Sequence, residues 1–334
     1  MIKAAHLTKI YGDRIAAKDI SFEIPDGKIC GFLGPNGAGK STTMNIITGY
    51  MAPNSGTVLF DDINMHTNPE KAKRMVGYLP EVPPLYFDMT VTEYLKFVIE
   101  LKGIKKADRA SELERVIVKT GLSLMKTRLV KNLSKGYKQR VGLASALVGN
   151  PKFLILDEPS NGLDPKQIVE IRNLIEELGK DHTIVLSTHI LSEVSAICNH
   201  IIIISHGRLL ASDSPEGLEE KFNKNQQIDL VVKANASNVE TALDSLENTD
   251  SYNVISENDG VTHVKIKAVE GTDIREELYN LFSSKNMPIL EQKVDYASLE
   301  SVYLKLTSEE YYSELLEKEG VTDAIDYDMS EDDD

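Results

Sequence analysis

A nine-residue stretch, GPNGAGKST at positions 34–42, has the residue types and spacing of a phosphate-binding loop. It matches G-x-x-x-x-G-K-[ST], follows a predicted strand and opens a predicted helix, which is the context that this motif requires. Glycines let backbone N–H groups turn inward around phosphates, and the helix N-terminus adds partial positive charge. We therefore expect Lys40 to reach the β and γ phosphates of a nucleotide. We expect Ser41 to ligate Mg²⁺ and Thr42 to donate to a phosphate oxygen.

Two adjacent carboxylates end a second apolar run, FLILDE at positions 153–158. Taken alone, two acids after a strand more often mark a turn than a site. Beside a phosphate loop they are typical of nucleotide hydrolysis. Asp157 is then expected to hold Mg²⁺ through water, and Glu158 to polarise the water that attacks the γ-phosphate.

A third candidate is the carboxylate of Glu81, which lies within the proline-rich stretch YLPEVPPLY at positions 78–86. Each proline fixes φ and biases the preceding residue towards extended geometry, so the segment is expected to form a rigid strut. Proline clusters usually mark loops, and the stretch alone favours a surface connector. A functional role for Glu81 depends on the rest of the chain.

Composition limits the classes of protein to consider. The 334 residues are long enough for about two domains, and 52 acidic against 37 basic residues give a net charge of −15. This balance argues against a nucleic-acid binder that works by bulk charge. The acids at the end of the chain predict a largely disordered tail over 308–334. Cys30 and Cys198 show no metal-ligand spacing and are expected in the core of a cytosolic chain.

The elements that must position these residues form an α/β core. Apolar runs around residues 28–34, 152–159 and 182–189 are typical of buried parallel strands, with a helix at 165–178 between the last two. Antiparallel strands precede them, and helical spacing predicts a helical subdomain at about 88–149. We assign this first domain to residues 1–222. From about residue 227 the order strand, helix, strand, strand, helix, strand predicts a ferredoxin-like α+β domain over 226–307.

The motifs, taken in order, resemble those of the ABC-transporter ATPases over residues 1–218. Any one of them alone would be weak, but seven in one order are highly specific. They are Tyr11, the phosphate loop, Glu81, LSKGYKQR at 133–140, LILDEP at 154–159, NGLD at 161–164, and His189 in LSTHIL.

The resemblance implies ATP as the nucleotide, Mg²⁺ as the metal and a head-to-tail homodimer with two ATP molecules at its interface. It implies a catalytic role for Glu158, His189 and Glu81, with Ser41, Glu81 and Asp157 at the metal. The residues that it implies for ATP binding are Tyr11 under the adenine, Asn36, Gly37, Ala38, Gly39, Lys40, Ser41 and Thr42, and, from the opposite subunit, Ser134, Lys135, Gly136 and Asp164.

Two motifs depart from the family pattern. Glutamate stands at position 81, where the family usually has glutamine, and the signature LSGGQ reads LSKGY. Ser134 and Gly136, which face the γ-phosphate of the opposite subunit in this family, are kept. Lys135 adds a cation there, so we expect the site to remain competent.

The resemblance implies an ATP-hydrolysing subunit that drives a separate membrane permease, most like those of bacterial exporters. It would lie peripherally on the cytoplasmic face of the plasma membrane and bind no nucleic acid. The alternatives are an importer ATPase with a substrate-sensing C-terminal domain, and a soluble ABC ATPase that is not a transporter. A GTPase is disfavoured because no N-K-x-D motif occurs.

Overall fold

Strands at the start of the chain form a four-stranded antiparallel sheet in the order β2-β1-β4-β5. Its strands are β1 (Ile2–Tyr11), β2 (Arg14–Ile24), β4 (Ser55–Phe60) and β5 (Ile63–Asn64). Alternate residues of these strands are buried in the same hydrophobic cluster as Phe32 and Phe153 of the neighbouring sheet and Met44 of the helix after the phosphate loop. This computed structural model describes residues 1–222, 227–269, 271–295 and 298–318.

The neighbouring sheet has six strands in the order β10-β9-β3-β8-β7-β6, and all its pairings are parallel except β9 with β10. Strands β3, β7 and β8 are buried at every residue, as expected of a parallel sheet covered on both faces. The carboxyl ends of these three strands deliver the phosphate loop, the paired acids and His189 to one edge. The six strands are β3 (Ile29–Leu33), β6 (Val76–Leu79), β7 (Phe153–Asp157), β8 (Thr183–Thr188), β9 (His200–Ser205) and β10 (Arg208–Asp213).

Seven helices belong to this part of the described chain, and three of them form the predicted helical block, in which α3, α4 and α5 pack on one another while α5 also packs on β6. Within it, α3 starts with a capping box in which Thr90 and Glu93 bond reciprocally, and Ser134 caps α5. The proline-rich stretch after β6 forms neither helix nor strand. The helices are α1 (Lys40–Ile47), α2 (Pro69–Met75), α3 (Val91–Leu101), α4 (Arg109–Lys119), α5 (Lys135–Leu147), α6 (Pro165–Leu178) and α7 (Leu191–Ile197).

The chain divides into two compact units, Met1–Pro215 with the segment from Leu306 onward, and Glu216–Lys305. In the second unit, four antiparallel strands follow the order β12-β13-β11-β14, and α9 and α10 contribute to its core. The succession along the chain is the predicted one. The elements are α8 (Pro215–Phe222), β11 (Gln227–Val232), α9 (Ala236–Leu243), β12 (Thr249–Asn258), β13 (Val261–Ala268), α10 (Arg275–Ser284), β14 (Ile289–Asp295) and α11 (Leu299–Leu306).

The structure corrects the prediction of a disordered tail for part of its range. Residues Glu309–Lys318 form a helix, α12, which belongs to the first unit. There the Tyr312 ring stacks on His206 with centroids 4.0 Å apart, and Glu309 lies 3.4 Å from the His206 Nε2. The prediction rested on acids that all follow residue 322, so it missed the aromatic residues before them. The rest of the tail lies outside the described residues.

Among the described residues, no helix has the length and hydrophobicity needed to cross a membrane.

Candidate functional site

A cavity of about 710 Å³ lies at the edge of the parallel sheet where β3, β7 and β8 end. It brings together residues that are far apart in the sequence. Its walls are formed by Tyr11, Arg14, Ala16, Asn36, Gly37, Gly39, Lys40, Ser41, Thr42, Glu81, Glu158, Asn161 and His189.

The phosphate loop is held in a shape that requires glycine at position 39. Gly39 precedes α1 with φ of +95°, in the region that favours glycine, and a Cβ there would lie 2.3 Å from the Ala16 carbonyl oxygen. The Lys40 ammonium donates to the carbonyl oxygens of Gly34 and Pro35 at 2.8 and 3.1 Å. The loop therefore folds around the lysine that is predicted to contact phosphate.

Lys40 is buried, and its Nζ lies 3.8 Å from Glu158 Oε1. Burial lowers the pKa of Lys40, and the negative charges of Glu158 and Asp157 partly oppose that shift. The ammonium is thus buried beside two acids, where its charge acts strongly on a bound anion.

Glu158 combines a strained backbone with a buried carboxylate. Its φ is +45°, which is uncommon for a residue with a side chain. Both of its carboxylate oxygens accept from the His189 Nδ1–H, at 3.1 and 3.0 Å. Burial raises the pKa of Glu158, and the hydrogen bond from His189 opposes the shift. A carboxyl group so adjusted is suited to act as a general base.

Glu81 reaches the same cavity from the proline-rich strut. Its Oε1 accepts from the Asn161 Nδ2–H at 2.7 Å, and Asn161 follows the paired acids by three residues. Asn161 was noted in the sequence only as part of the NGLD motif. An exposed asparagine before glycine is typical of a turn, so no local signal predicts this contact.

The three predicted metal ligands, Ser41, Glu81 and Asp157, line a second cavity of about 520 Å³. Asp157 is buried, and within the described part of the chain its Oδ1 has no hydrogen-bond partner. Burial raises the pKa of Asp157, and the charge of Glu81 adds to the shift.

This donor set fits Mg²⁺. A hydroxyl and two carboxylates are hard oxygen ligands, and a buried carboxylate oxygen without a donor is stabilised by a cation. The described residues contain no cluster of three or more His, Cys, Asp or Glu side chains able to hold a metal alone. Mg²⁺ usually takes few protein ligands and completes its shell with water and phosphate oxygens.

The residues expected to act on the opposite subunit's nucleotide lie together in a separate place. Ser134, Gly136 and Asp164 line a cavity of about 190 Å³ that shares no lining residue with the first. Ser134 and Asp164 are the N-caps of α5 and α6. The Lys135 ammonium packs over Gly162, where a Cβ would lie 2.1 Å from its Nζ.

Other predicted residues differ in how they meet the cavity. Tyr11 lines it, with the Lys9 ammonium 5.4 Å from its ring. Ala38 is buried outside the lining, and its N–H donates to the Pro35 carbonyl at 3.2 Å. Arg14 and Ala16 line the cavity although the sequence did not single them out. They lie on β2, and because the sequence of β2 is typical of an ordinary strand, it does not indicate a role for them in the site.

A parallel sheet whose β3 runs into a phosphate loop, and whose β7 ends in two acids, defines a P-loop nucleoside triphosphatase. The family model described as ABC transporter matches residues 17–161. The lantibiotic transport ATP-binding protein SrtF of Streptococcus pyogenes is 39% identical over 227 residues, which are 67% of this chain and 96% of that protein. The bacitracin transport ATP-binding protein BcrA of Bacillus licheniformis is 34% identical over 309 residues, 92% of this chain and 97% of that one.

Solved structures agree with these relatives. An ATP-binding subunit of an ABC transporter matches with a TM-score of 0.61 and 30% identity, over 67% of this chain and 93% of that one. A dimeric ATP-binding cassette in a post-hydrolysis state with ADP and phosphate matches with a TM-score of 0.58 and 26% identity, over 64% and 98%. The chain belongs to the ABC transporter family, as an ATP-binding subunit with the mixed α/β ATPase fold. It is therefore an ATPase.

Proposed function

We propose that this chain is the ATP-hydrolysing subunit of a bacterial exporter, in which two copies close around two ATP molecules and drive a separate permease. The observation that carries the proposal is the meeting of Lys40, Glu158 and His189 in one cavity, while Ser134, Gly136 and Asp164 line another. Each copy then offers half of two composite sites, as closed twofold symmetry requires.

Within one site, Tyr11 stacks on adenine, and Lys40, Ser41 and Thr42 bind the phosphates with the N–H groups of the loop from Asn36 to Gly39. Glu158 accepts a proton from the attacking water, and His189 holds that carboxylate in place. From the opposite copy, Ser134, Lys135 and Gly136 bind the γ-phosphate at the start of α5, and Asp164 closes the interface.

Ser41, Asp157 and Glu81 would hold Mg²⁺ beside the phosphates. When bound, the ion supplies positive charge to the phosphate oxygens. The orphaned Oδ1 of Asp157 and the shared cavity of these three residues support this assignment.

The proline-rich strut supports a permease contact. Val82 and Tyr86 in the strut and the adjacent Phe87 are 81, 54 and 52% exposed, which is unusual for large apolar groups on one short segment. Glu81, in the strut, lines the nucleotide cavity. The strut therefore joins the hydrolytic site to a hydrophobic surface, which is suited to bind a cytoplasmic segment of a membrane subunit.

The direction of transport and the C-terminal unit belong to the same proposal. The similarity to SrtF and BcrA, both transport ATP-binding proteins of bacteria, supports export and a peripheral position on the cytoplasmic face of the plasma membrane. The antiparallel order β12-β13-β11-β14 supports a ferredoxin-like domain. Because none of the residues lining the nucleotide cavity lies in it, we assign it a regulatory or dimerising role.

The test is the substitution Glu158→Gln, which keeps the shape of the side chain and removes its charge. The variant should bind ATP, lose at least about 100-fold in turnover and accumulate as an ATP-bound dimer. Size-exclusion chromatography with ATP and a phosphate-release assay measure both effects.

The matched control is Glu176→Gln, because Glu176 is an exposed glutamate on α6. This variant should match the wild-type protein in turnover and dimerisation. Turnover near the wild-type level in Glu158→Gln would refute the assignment of the general base.

A further inference from the structure

Two buried polar groups without partners line the same small cavity behind the nucleotide site. Ser160 and Glu193 are each only 6% exposed, and within the described residues Ser160 Oγ and Glu193 Oε1 make no hydrogen bond. Both residues line a cavity of about 10 Å³. A buried hydroxyl and a buried carboxylate oxygen without hydrogen-bond partners each lower the stability of the folded state. Because both groups line one cavity, a single bound molecule could satisfy them together.

Glu193 uses its other oxygen to hold the turn that carries His189. Its Oε2 accepts from the Thr188 hydroxyl at 2.9 Å, and the same hydroxyl accepts from the Ile190 N–H at 3.1 Å. Thr188 and Ile190 flank His189 on both sides. The backbone of the histidine is therefore fixed through the Glu193 carboxylate.

Ser160 belongs to the loop that carries Glu158, the hydrogen-bond partner of His189. It follows Glu158 by two residues and precedes Asn161, whose side chain donates to Glu81. Its carbonyl oxygen accepts from the Leu163 N–H at 3.1 Å, and the Glu158 carbonyl accepts from the Asn161 N–H at the same distance. These two backbone bonds do not involve the Ser160 hydroxyl, which remains for a different bond.

We propose that one buried water molecule occupies this cavity and joins Ser160 Oγ to Glu193 Oε1. A water needs about 10–15 Å³ of such volume and at least two polar partners, and the cavity supplies both. The Ser160 hydroxyl donates to the water, which in turn donates to the carboxylate. Apart from Arg172, the remaining wall is apolar and includes Ile168, Ile171 and Ile175, which favours a single ordered water over a solvated channel.

The water makes Glu193 a positioning residue for hydrolysis. It ties the turn that carries Glu158 to the turn that carries His189, in addition to the direct bond between the two side chains. The inference rests on the proposed roles of Glu158 and His189. Losing the tie should slow the chemical step and leave ATP binding nearly unchanged, because neither Ser160 nor Glu193 lines the nucleotide cavity.

The experiment combines crystallography and kinetics on the full chain. A crystal structure at a resolution that shows ordered waters should show one between Ser160 Oγ and Glu193 Oε1, and Ser160→Ala should remove it. In ATPase assays, Ser160→Ala and Glu193→Ala should each lower kcat about fivefold or more, with KM for ATP within about twofold. The double variant should be no slower than Glu193→Ala alone.

Conservative and distant substitutions serve as controls. Glu193→Gln keeps an acceptor for Thr188 and a polar atom for the water, so it should restore kcat to within about twofold of wild type. Ser195→Ala, on an exposed face of α7, should change nothing. If Glu193→Ala does not fold, the kcat values of Ser160→Ala and Glu193→Gln still test the proposed water.

The proposal is overturned if the cavity shows no water, if it shows a metal ion, if Ser160→Ala is as fast as wild type, or if the two alanine effects multiply. These outcomes are separate from a failure of the proposed function, which would show itself as normal turnover in Glu158→Gln.

Discussion

At Glu158, three unfavourable features coincide in one residue: a positive φ, a buried carboxylate and a position directly after a second acid. Features of this kind persist where the surrounding structure holds them in place, and they cluster at functional sites. Here the His189 hydrogen bond and the Lys40 ammonium offset part of the cost.

The raised pKa of Glu158 predicts the pH dependence of hydrolysis. The general base works in its ionised form, so kcat should rise with pH along an acid limb centred above 4.5, the ordinary value for glutamate. Between 4.5 and the raised pKa, the folded state binds more protons than the unfolded state, so this residue's contribution to stability falls as pH rises through that window. Glu158→Gln should therefore be stabilised relative to wild type more at pH 7 than at pH 4.

The measurements are a kcat profile from pH 4.5 to 8 and urea unfolding at the two pH values. An acid limb centred at or below 4.5, or an equal stability difference at both pH values, would contradict the assigned shift.

Glu81 should respond to substitution according to its inventory of donors and acceptors. Glu81→Gln keeps an oxygen that can reach a metal ion and accept from Asn161, so hydrolysis should persist while Mg²⁺ dependence weakens modestly. Glu81→Ala removes both contacts and should lower hydrolysis further. Stimulation by the permease should fall more than basal turnover, because the strut would lose its contact with the site.

This is measured by Mg²⁺ titration of the ATPase rate, with and without reconstituted permease, for wild type and both variants. Identical curves for all three would mean that Glu81 is only part of a connector.

Sequence motifs predicted the charged groups that meet in the nucleotide cavity, because each follows a buried strand of the parallel sheet. They did not predict the bond between Asn161 and Glu81, or the place of Arg14 in the wall. Those contacts depend on how the segments between helices and strands run through space. The local hydrophobic periodicity of the sequence does not predict the course of such segments.

At the scale of elements, the junction between the phosphate loop and α1 is the most constrained backbone position of the site. Gly39→Ala adds a Cβ against the Ala16 carbonyl at a φ of +95°. Strain at positive φ costs about 1–2 kcal/mol, and the backbone clash adds to it. We expect a loss of more than about 2 kcal/mol in the free energy of unfolding, together with loss of ATP binding.

Gly103→Ala is the matched control, since Gly103 also has positive φ, +72°, but its Cβ would meet nothing within 4 Å. It should cost about 1 kcal/mol and leave ATP affinity unchanged. Chemical denaturation and nucleotide titration of both variants measure the difference. Equal losses in the two variants would show that strain alone, and not the close approach, sets the need for glycine.

Elements with strong periodicity were predictable and α12 was not. The continuous apolar runs of β7 and β8 predict buried strands, and the alternation of apolar and polar residues in β13 predicts a strand with one buried face. Helix α12 buries no residue fully, and two of its side chains contact a turn about a hundred residues earlier in the chain. A solvated helix whose partner is distant gives little signal in its own composition.

At the scale of the molecule, the chain leaves the first unit after Pro215 and returns to it at Leu306. In the returning segment, the Tyr312 ring stacks on His206. Tyr312→Ala removes the stacked ring and should lower the free energy of unfolding of the first unit by about 1 kcal/mol.

Denaturant unfolding with nucleotide fluorescence as the probe reports on this unit. A Tyr312→Ala variant as stable as the wild-type protein would mean that the stacked ring does not stabilise this unit.

The turn that receives α12 also supports the phosphate loop, because the Gly207 N–H donates to the Ala38 carbonyl at 3.1 Å. On the ribosome, chains grow at about 5–20 residues per second, and the N-terminal parts fold first. The nucleotide-binding unit therefore finishes its backbone framework about 5–20 s before Tyr312 is translated. During that interval the nascent ATPase already has every residue of its nucleotide cavity, and the whole C-terminal unit must be synthesised before the last piece of the first unit arrives.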